Sequence, residues 1–483
     1  MSAPNFKTGT LFTADNIHIL RGMKSECIDL IYLDPPFNSN QNYVRPLPIK
    51  GKEILAAFKD VWKKTDVVDA HFEKLEQEDP CLYEIIKGVE KAHSPKMFAY
   101  LVYMTARLKE MERILKPAGS IYLHCDQTAS HYLKVVMDCL FGEKNFGNEI
   151  LWVYGDTARG AKAIARQFAR NNDTILYYRK GKDFLFNKTY SERKINFKGS
   201  GYKRDKDGRC FRTAPRGDYT DESIKQLKKE GRIYITKSGK TRIKYYEKCD
   251  EDFVYEQRIV GNVWNDIPDM MHVSRTEKTD YPTQKPLVLL ERIIKASTNE
   301  GDIVLDPFCG CATAIVAAEK LNRKWVGIDI SLFAKFFVKH RMKNELKKSP
   351  KDIKPIFLKG ISGGEDMPPI EVGGGKGERH DLYREQDDGH CNGCDHPYHI
   401  KDFTFDHIIP TSKGGQDTPD NRQLLCFSCN TTKGTDTMET LWHKLVDAGL
   451  LEKYEVDEIR ERFNVRRERA MDRIRKMIKN DKT

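Results

Sequence analysis

Between Ile17 and Ile150, short apolar runs alternate with longer stretches whose apolar residues recur at helical spacing. CIDLIYLD (27–34) and GSIYLHCD (119–126) read as strands, whereas MFAYLVYMTARLKEMERILK (97–116) and HYLKVVMDCLFG (131–142) read as helices. Such alternation predicts a largely parallel sheet with helices on its faces. After about Tyr178 the signal fades into KGKDFLFNKTYSERKINFKGSGYKRDKDGRCFRTAPRGDYTDES, where basic and aromatic residues mingle with little periodicity. It resumes after Pro282, so residues 155–265 read as an insertion. A second boundary falls at GISGGEDMPPIEVGGGKGERHD (360–381), whose glycines and prolines mark a flexible linker. Beyond it lie a compact cysteine-bearing unit and a basic helical tail, ERFNVRRERAMDRIRKMIKNDK (461–482).

The 483 residues predict roughly three domains. A hydrophobic share of 39% beside 32% charged residues belongs to a soluble, globular chain rather than a disordered or membrane-embedded one. No apolar stretch approaches the ~20 residues of a transmembrane helix. The start, MSAPNFKTGTLFTADN, lacks the charged and apolar regions of a signal peptide, so the expectation is a cytoplasmic protein with no membrane partner. Lys and Arg number 82 against 71 Asp and Glu, and the formal net charge of +11 points to polyanionic partners, although a basic enzyme without one would show the same balance. Of 12 cysteines, eight are scattered and four form the pairs CNGC (391–394) and CFSC (426–429), with 31 residues between them. In a reducing compartment Cys391, Cys394, Cys426 and Cys429 are candidate thiolate ligands of one tetrahedral zinc.

The strand that ends at Asp34 runs into two prolines. Proline cannot donate to a sheet ladder, so the strand stops there, and the fixed φ of Pro35 and Pro36 stiffens the next few residues. A carboxylate, a rigid backbone and the ring of Phe37 are thereby presented at a strand's carboxyl end, where open α/β sheets bind ligands. A second segment, DIVLDPFCGCATAIVAAEKLNRKWVGIDI (302–330), reads as strand, tight loop, helix and strand. Asp306 closes the first strand, Gly310 permits the turn, and Asp329 closes the next strand about 20 residues on, where an acid can hold ribose hydroxyls. The full G-x-G-x-x-G is absent, because Cys311 and Ala312 stand where glycine would be expected, and a βαβ unit without a ligand fits this segment taken alone.

Taken in order, DPPF (34–37), YPTQKP (281–286) and DPFCGC (306–311) resemble the β class of amino-group DNA methyltransferases, in which the catalytic segment precedes the S-adenosylmethionine loop. The likeness covers most of residues 10–345, including PAGSIYLHCDQTASHYLKVVMDCLFG, and the insertion is similar to that family's target-recognition region. It implies a Rossmann-like α/β methyltransferase, with residues 1–154 holding the catalytic segment, 155–265 recognising the target and 266–345 binding the cofactor. It further implies that Asp34 and the Pro35 carbonyl accept the hydrogens of the target amine, that Pro35 and Pro36 hold these acceptors in place, and that Phe37 stacks on a base flipped out of the duplex. Asp306, Phe308 and Gly310 would cradle S-adenosylmethionine, Asp329 would take its ribose, Thr283 and Lys285 would lie near its amino-acid end, and Asp15 near its adenine. The DPPF form goes more often with N6 of adenine than with N4 of cytosine.

Between and after the cysteine pairs, DHIIPTSKGG (406–415) and DNRQLLCFSCNTTKG (420–434) resemble the HNH nuclease family, a ββα fold around one catalytic metal, over about 385–435. The resemblance implies that Asp406 and Asn430 hold magnesium, that His407 is the base activating water, and that Asn421 orients the histidine. A zinc-stabilised module that binds DNA without cutting it is the other reading of this domain. The expected order is completed by a linker at 346–381, the HNH domain at 382–435 and a tail at 436–483, which either tracks phosphates or forms a solvated face. As a whole the chain reads as a prokaryotic or phage-encoded adenine-N6 DNA methyltransferase joined to an HNH endonuclease and acting on double-stranded DNA; a restriction-modification fusion and a solitary phage or mobile-element enzyme both fit it. Cytosine-N4 methylation, or a nuclease with a weak methyltransferase half, are the rival readings, and both monomer and homodimer stay open.

Overall fold

The computed structural model describes residues 4–37, 41–49, 52–60, 66–155, 166, 168–279, 281–331, 333–346, 389–396, 403–418 and 421–480. The chain opens with β1 (Thr10–Thr13), α1 (Asn16–Gly22), β2 (Ile28–Leu33), the paired strands β3 (Gln41–Ile49) and β4 (Lys52–Asp60), α2 (Asp66–Glu78), α3 (Pro80–Ala92) and α4 (Pro95–Ile114). It continues through β5 (Leu115–Cys125), α5 (Ser130–Phe141), β6 (Phe146–Val153) and β7 (Asn172–Arg179). The start of α4 follows from local chemistry: Pro95 suits a first turn, and the Ser94 hydroxyl accepts from the Met97 N–H at 3.3 Å. Its apolar residues, among them Phe98, Leu101, Leu108 and Met111, are buried in the core that also takes Leu33 of β2 and Leu123 of β5.

Lys188–Gly261 forms a compact unit of its own. It contains β8 (Tyr190–Asn196), β9 (Lys203–Arg204), β10 (Cys210–Pro215), α6 (Asp221–Lys229), β11 (Ile233–Ile235), β12 (Thr241–Cys249) and β13 (Phe253–Ile259). The strands pair antiparallel in the order β8-β13-β12-β10-β9, with β11 also beside β12. Its mingled basic and aromatic residues pair with one another: Lys194 lies 3.8 Å from the Phe253 ring centre and Lys203 lies 4.3 Å from that of Tyr234. Two of the scattered cysteines, Cys210 and Cys249, are joined here as a disulfide. The unit is shorter than the insertion expected at 155–265, because residues 174–178 are a buried run that completes the main sheet as part of β7.

After this unit come β14 (Val263–Trp264), α7 (Leu287–Ser297), β15 (Ile303–Asp306), α8 (Thr313–Lys320), β16 (Lys324–Asp329) and α9 (Phe333–Leu346). The main sheet has eight strands among the described residues, in the order β1-β16-β15-β2-β5-β7-β6-β14. From β1 to β5 every neighbour is parallel, and β7 runs antiparallel between β5 and β6. This is the α/β sheet that the alternating pattern predicts. The register sets Thr13 beside Asp329 and Asp306 beside Gly327, so the carboxyl ends of β1, β16, β15 and β2 share one edge, with Asp15 and Asp34 just beyond it.

The C-terminal part is a hairpin of β17 (Phe403–His407) and β18 (Arg422–Cys426), then α10 (Phe427–Lys433), α11 (Met438–Asp447) and α12 (Lys453–Asn480). Its core is shared: Cys311, Phe333 and Phe337 pack in one cluster with the four cysteines of the two pairs, Phe403, Leu441, Trp442 and Leu445. The start of the basic tail belongs to that core, since Val456, Ile459 and Phe463 of α12 are buried in it, and Arg462 and Arg466 grip Asp395 at 2.7 and 2.9 Å. The linker expected at 346–381 lies, apart from Leu346, outside the described residues. No described helix is long and apolar enough to cross a membrane.

Candidate active site and metal centre

Asp34 leaves the end of β2 with its two oxygens in different states. Lys285 Nζ donates to Oδ2 at 2.6 Å, while Oδ1 is buried and makes no hydrogen bond among the described residues. The same ammonium lies 5.1 Å from the ring centre of Phe37 and donates to the Thr283 carbonyl at 3.4 Å. One cation thus ties the YPTQKP segment to the DPPF segment. Lys285, expected near the amino-acid end of a cofactor, is here the partner of Asp34. Behind Phe37 stands an aromatic wall, with the His124 ring 5.8 Å away and Trp152 edge-on to His124 at 5.9 Å.

The loop after β15 is built from its own acids. Asp306 is buried and accepts from the Phe308 N–H at 3.1 Å. Burial holds its carboxyl well above the usual range; the Phe308 N–H opposes this, and the Asp34 and Asp329 charges add to it. Asp329 accepts from the Gly310 and Ser331 N–H groups, both at 2.7 Å, and burial pushes it up to about 6. Gly310 has φ +46°, and a Cβ there would lie 3.2 Å from Tyr281 Cε1. Ala312, which stands where glycine would be expected, adopts the left-handed conformation at φ +67° as it starts α8.

Asp15 caps α1 through the Ile17 N–H at 3.2 Å and pairs with Arg107 Nη2 at 2.6 Å. Arg107 also donates to Asn16 Oδ1, and Asn16 in turn donates to the Pro307 carbonyl, which ties the start of α1 to the loop after β15. The residues present fit S-adenosylmethionine on their chemistry. The Asp34 and Asp329 charges both act on Asp306, with Lys285 as the cation opposing them, an arrangement suited to a cationic ligand with a ribose. Gly310 leaves bare backbone where a Cβ would press on Tyr281.

The four cysteines Cys391, Cys394, Cys426 and Cys429 are buried with their sulfurs within 4.8 Å of one another. Backbone N–H groups of Gly393 and Cys426 donate to Cys391 Sγ, and that of Cys429 donates to Cys426 Sγ. Four clustered thiols supported in this way could hold one zinc ion in a closed arrangement of the structural kind.

The residues assigned to a nuclease lie on the adjoining ββα unit. Asp406 on β17 accepts from Gln423 Nε2 at 2.8 Å and pairs with the buried Lys433 Nζ at 3.0 Å. Asn430 on α10 donates to Thr404 Oγ1 at 2.7 Å, and Thr404 and Asp406 lie on one face of β17 by strand alternation. His407 Nε2 meets Asp417 Oδ1 at 2.8 Å. Arg422, and after it His407, hold the Asp417 carboxyl down at about 2. The side chain of Asn421, expected to orient His407, instead clamps the following loop: it accepts from the Ile409 N–H and donates to the carbonyls of Ile409 and Gln416. Sequence reasoning missed Asp417 and Lys433, since single charged residues in a loop or helix carry no periodic signal.

Comparison with known proteins agrees with these segments. A DNA methylase family matches residues 28–337 and an HNH endonuclease family matches residues 391–436. Over 260 residues the chain is 33% identical to the type II methyltransferase M.EcaI of Enterobacter cloacae, covering 49% of this chain and 56% of that one. It is 24% identical over 322 residues to the DNA adenine methyltransferase YhdJ of Escherichia coli strain K12, covering 67% and 78% of the two chains. It is 26% identical over 346 residues to the type II methyltransferase M.BamHI of Bacillus amyloliquefaciens, covering 71% and 60%. The first of these matches spans little more than half of the relative's length. With the DNA methylase match covering most of the chain and the HNH match lying on the cysteine-bearing ββα unit, the protein belongs to the DNA methylase family and carries an HNH endonuclease domain.

Proposed function

We propose that this protein methylates N6 of adenine in double-stranded DNA with S-adenosylmethionine, and that its HNH domain cuts DNA with a divalent cation. The observation that carries the methylation reading is the split environment of Asp34: one oxygen fixed by Lys285, the other a buried acceptor with no hydrogen bond among the described residues. Such an acceptor suits an amine hydrogen brought in by a flipped base. The Pro35 carbonyl takes the second hydrogen, which turns the nitrogen lone pair out of conjugation with the ring, and Phe37 stacks on the base. S-adenosylmethionine, when bound, supplies the electrophilic methyl group. Asp34 Oδ1 takes the proton that the methylated amine must lose, and the Lys285 hydrogen bond to Oδ2 keeps the carboxylate aimed beforehand. Asp306, Phe308, Gly310 and Asp329 hold the cofactor, with Asp15 at its far end.

Adenine is favoured over cytosine by the DPPF form and by the adenine specificity named for the Escherichia coli relative. The Lys188–Gly261 unit, rich in basic and aromatic side chains, is proposed to choose the target sequence. In the HNH domain Asp406 and Asn430 would hold magnesium, with His407 as the base for water; Lys433 must then yield part of its hold on Asp406. The type II methyltransferase relatives support a role in restriction and modification. The test is to incubate unmodified DNA with the protein and S-adenosylmethionine in chelator, then identify the nucleosides by mass spectrometry. N6-methyladenine is expected; N4-methylcytosine would overturn the base, and absence of methylation would overturn the reading.

A further inference from the structure

Behind the aromatic wall lies a chain of polar groups to which the proposed methyl transfer gives no role. His124 is fully buried, and both its ring nitrogens are engaged. Nδ1 shares a hydrogen bond of 3.0 Å with the Tyr32 hydroxyl, and Nε2 one of 3.1 Å with Asp173 Oδ2. The other oxygen of Asp173 accepts from the Tyr154 hydroxyl at 3.3 Å. Three strands contribute, since Tyr32 lies on β2, His124 on β5 and Asp173 on β7. Tyr32 is two residues before Asp34, and strand alternation puts the two on one side of the sheet. The His124 ring lies 5.8 Å from that of Phe37, tilted by 30°. Trp152 is edge-on to His124 and is itself fixed by donating its indole N–H to the Ile267 carbonyl at 3.1 Å.

This arrangement is costly for a sheet interior. A fully buried imidazole and a half-buried carboxylate lose hydration that an apolar pair of equal volume would never need, and such pairs seldom add net stability. Burial alone pushes the Asp173 carboxyl up, yet the hydrogen bond and charge of His124, with Lys285 and Tyr154, hold it below the usual range. An ionised Asp173 can only accept, so Nε2 carries the hydrogen. On the other side of the ring the Tyr32 hydroxyl meets Nδ1. The imidazole is thereby held at both nitrogens, and its plane is locked against the ring expected to stack on the base.

We propose that Tyr32, His124 and Asp173 are positioning residues for methyl transfer: they set the plane of Phe37, and through it the angle at which the flipped base offers its amine to Asp34. The inference rests on the methylation reading. A misplacement of about 1 Å in the attacking atom costs roughly 100-fold in rate, so the effect should appear in turnover rather than in binding. Asp173→Asn keeps the shape but removes the carboxylate that holds Nε2; Tyr32→Phe removes the hydroxyl that holds Nδ1 and nothing else; Asp173→Glu restores a carboxylate.

The experiment measures kcat and KM for methyl incorporation into plasmid DNA in chelator, S-adenosylmethionine affinity by calorimetry, and melting temperature, for the full chain and each variant. Asp173→Asn and Tyr32→Phe are expected to lower kcat by about 10- to 100-fold with cofactor affinity and DNA KM unchanged, and Asp173→Glu to recover part of the loss. Should Asp173→Asn fail to fold, Tyr32→Phe alone decides. Wild-type kcat in both variants, or a fall in melting temperature with kcat per folded molecule unchanged, overturns the inference. Absence of methylation by the unaltered protein fails the methylation reading instead, which keeps the two outcomes distinct.

Discussion

At the residue scale the site is governed by how few partners its carboxylates have. Asp34 holds one lysine and one unused oxygen, so Asp34→Ala should reduce methyl transfer by at least about 100-fold, the scale of losing one aimed polar group in a dry site. Magnesium-dependent cutting should persist in that variant, while His407→Ala should show the reverse; a variant that loses both activities with its fold intact would mean the two sites are not independent. Asp329 adds a pH dependence. Burial raises it to about 6, so it is ionised above that pH and can accept from a ribose hydroxyl, and protonation below that pH removes acceptor capacity. Affinity for S-adenosylmethionine should therefore fall as pH drops from 7 to 5, by up to about tenfold per unit below 6. Calorimetric titrations across that range check the sign; a flat profile would leave Asp329 without the ribose.

At the scale of elements, the loops around the strand ends are where sequence and structure diverge most usefully. Ala312 starts α8 in the left-handed conformation, which costs an L-residue about 1–2 kcal/mol. Ala312→Gly relieves that strain while making the unfolded chain more flexible, by about 0.4–1 kcal/mol. A net gain approaching 1 kcal/mol is expected in chemical denaturation, and a loss would show that the buried methyl's packing outweighs the strain. In the HNH hairpin, Asn421 fastens the loop after β17 with three hydrogen bonds, so Asn421→Ala should loosen that loop and impair cutting without touching the His407 ring. The likeness of DHIIPTSKGG and DNRQLLC to the HNH family marks this asparagine as a candidate, but which groups it holds depends on the fold bringing positions 409, 416 and 421 together.

At the scale of the molecule, the cysteine-bearing domain is packed onto the cofactor half. Phe333 and Phe337 of α9, with Cys311 from the loop after β15, share one core with the four clustered cysteines and Trp442, and Arg341 of α9 donates to the Cys311 carbonyl and Thr313 hydroxyl. The β4 strand, in the segment after DPPF, also runs beside α10. Full burial of a large apolar side chain such as Phe333 or Phe337 in that core contributes roughly 1.5–3 kcal/mol. Stripping the metal with a thiol-competent chelator should therefore weaken S-adenosylmethionine binding several-fold and lower the melting temperature of the whole unit. Cofactor affinity unchanged after metal loss would show that the two halves act as separate bodies.

The sequence by itself determined the elements and the chemistry carried by short contiguous motifs. Apolar runs such as LIYL had to be buried strands, prolines 35 and 36 had to end one of them, and two C-x-x-C pairs were candidates for one metal. These follow from local sterics and burial, which act over a few residues. Only the tertiary structure decided who pairs with whom. Lys285 reaches Asp34 across 251 positions, His124 meets Tyr32 and Asp173 from neighbouring strands, and β7 joins the main sheet rather than the insertion. Long side chains find partners by where strands and helices place them in space, and one lysine in a chain with 82 basic residues carries no local mark of the carboxylate it will meet.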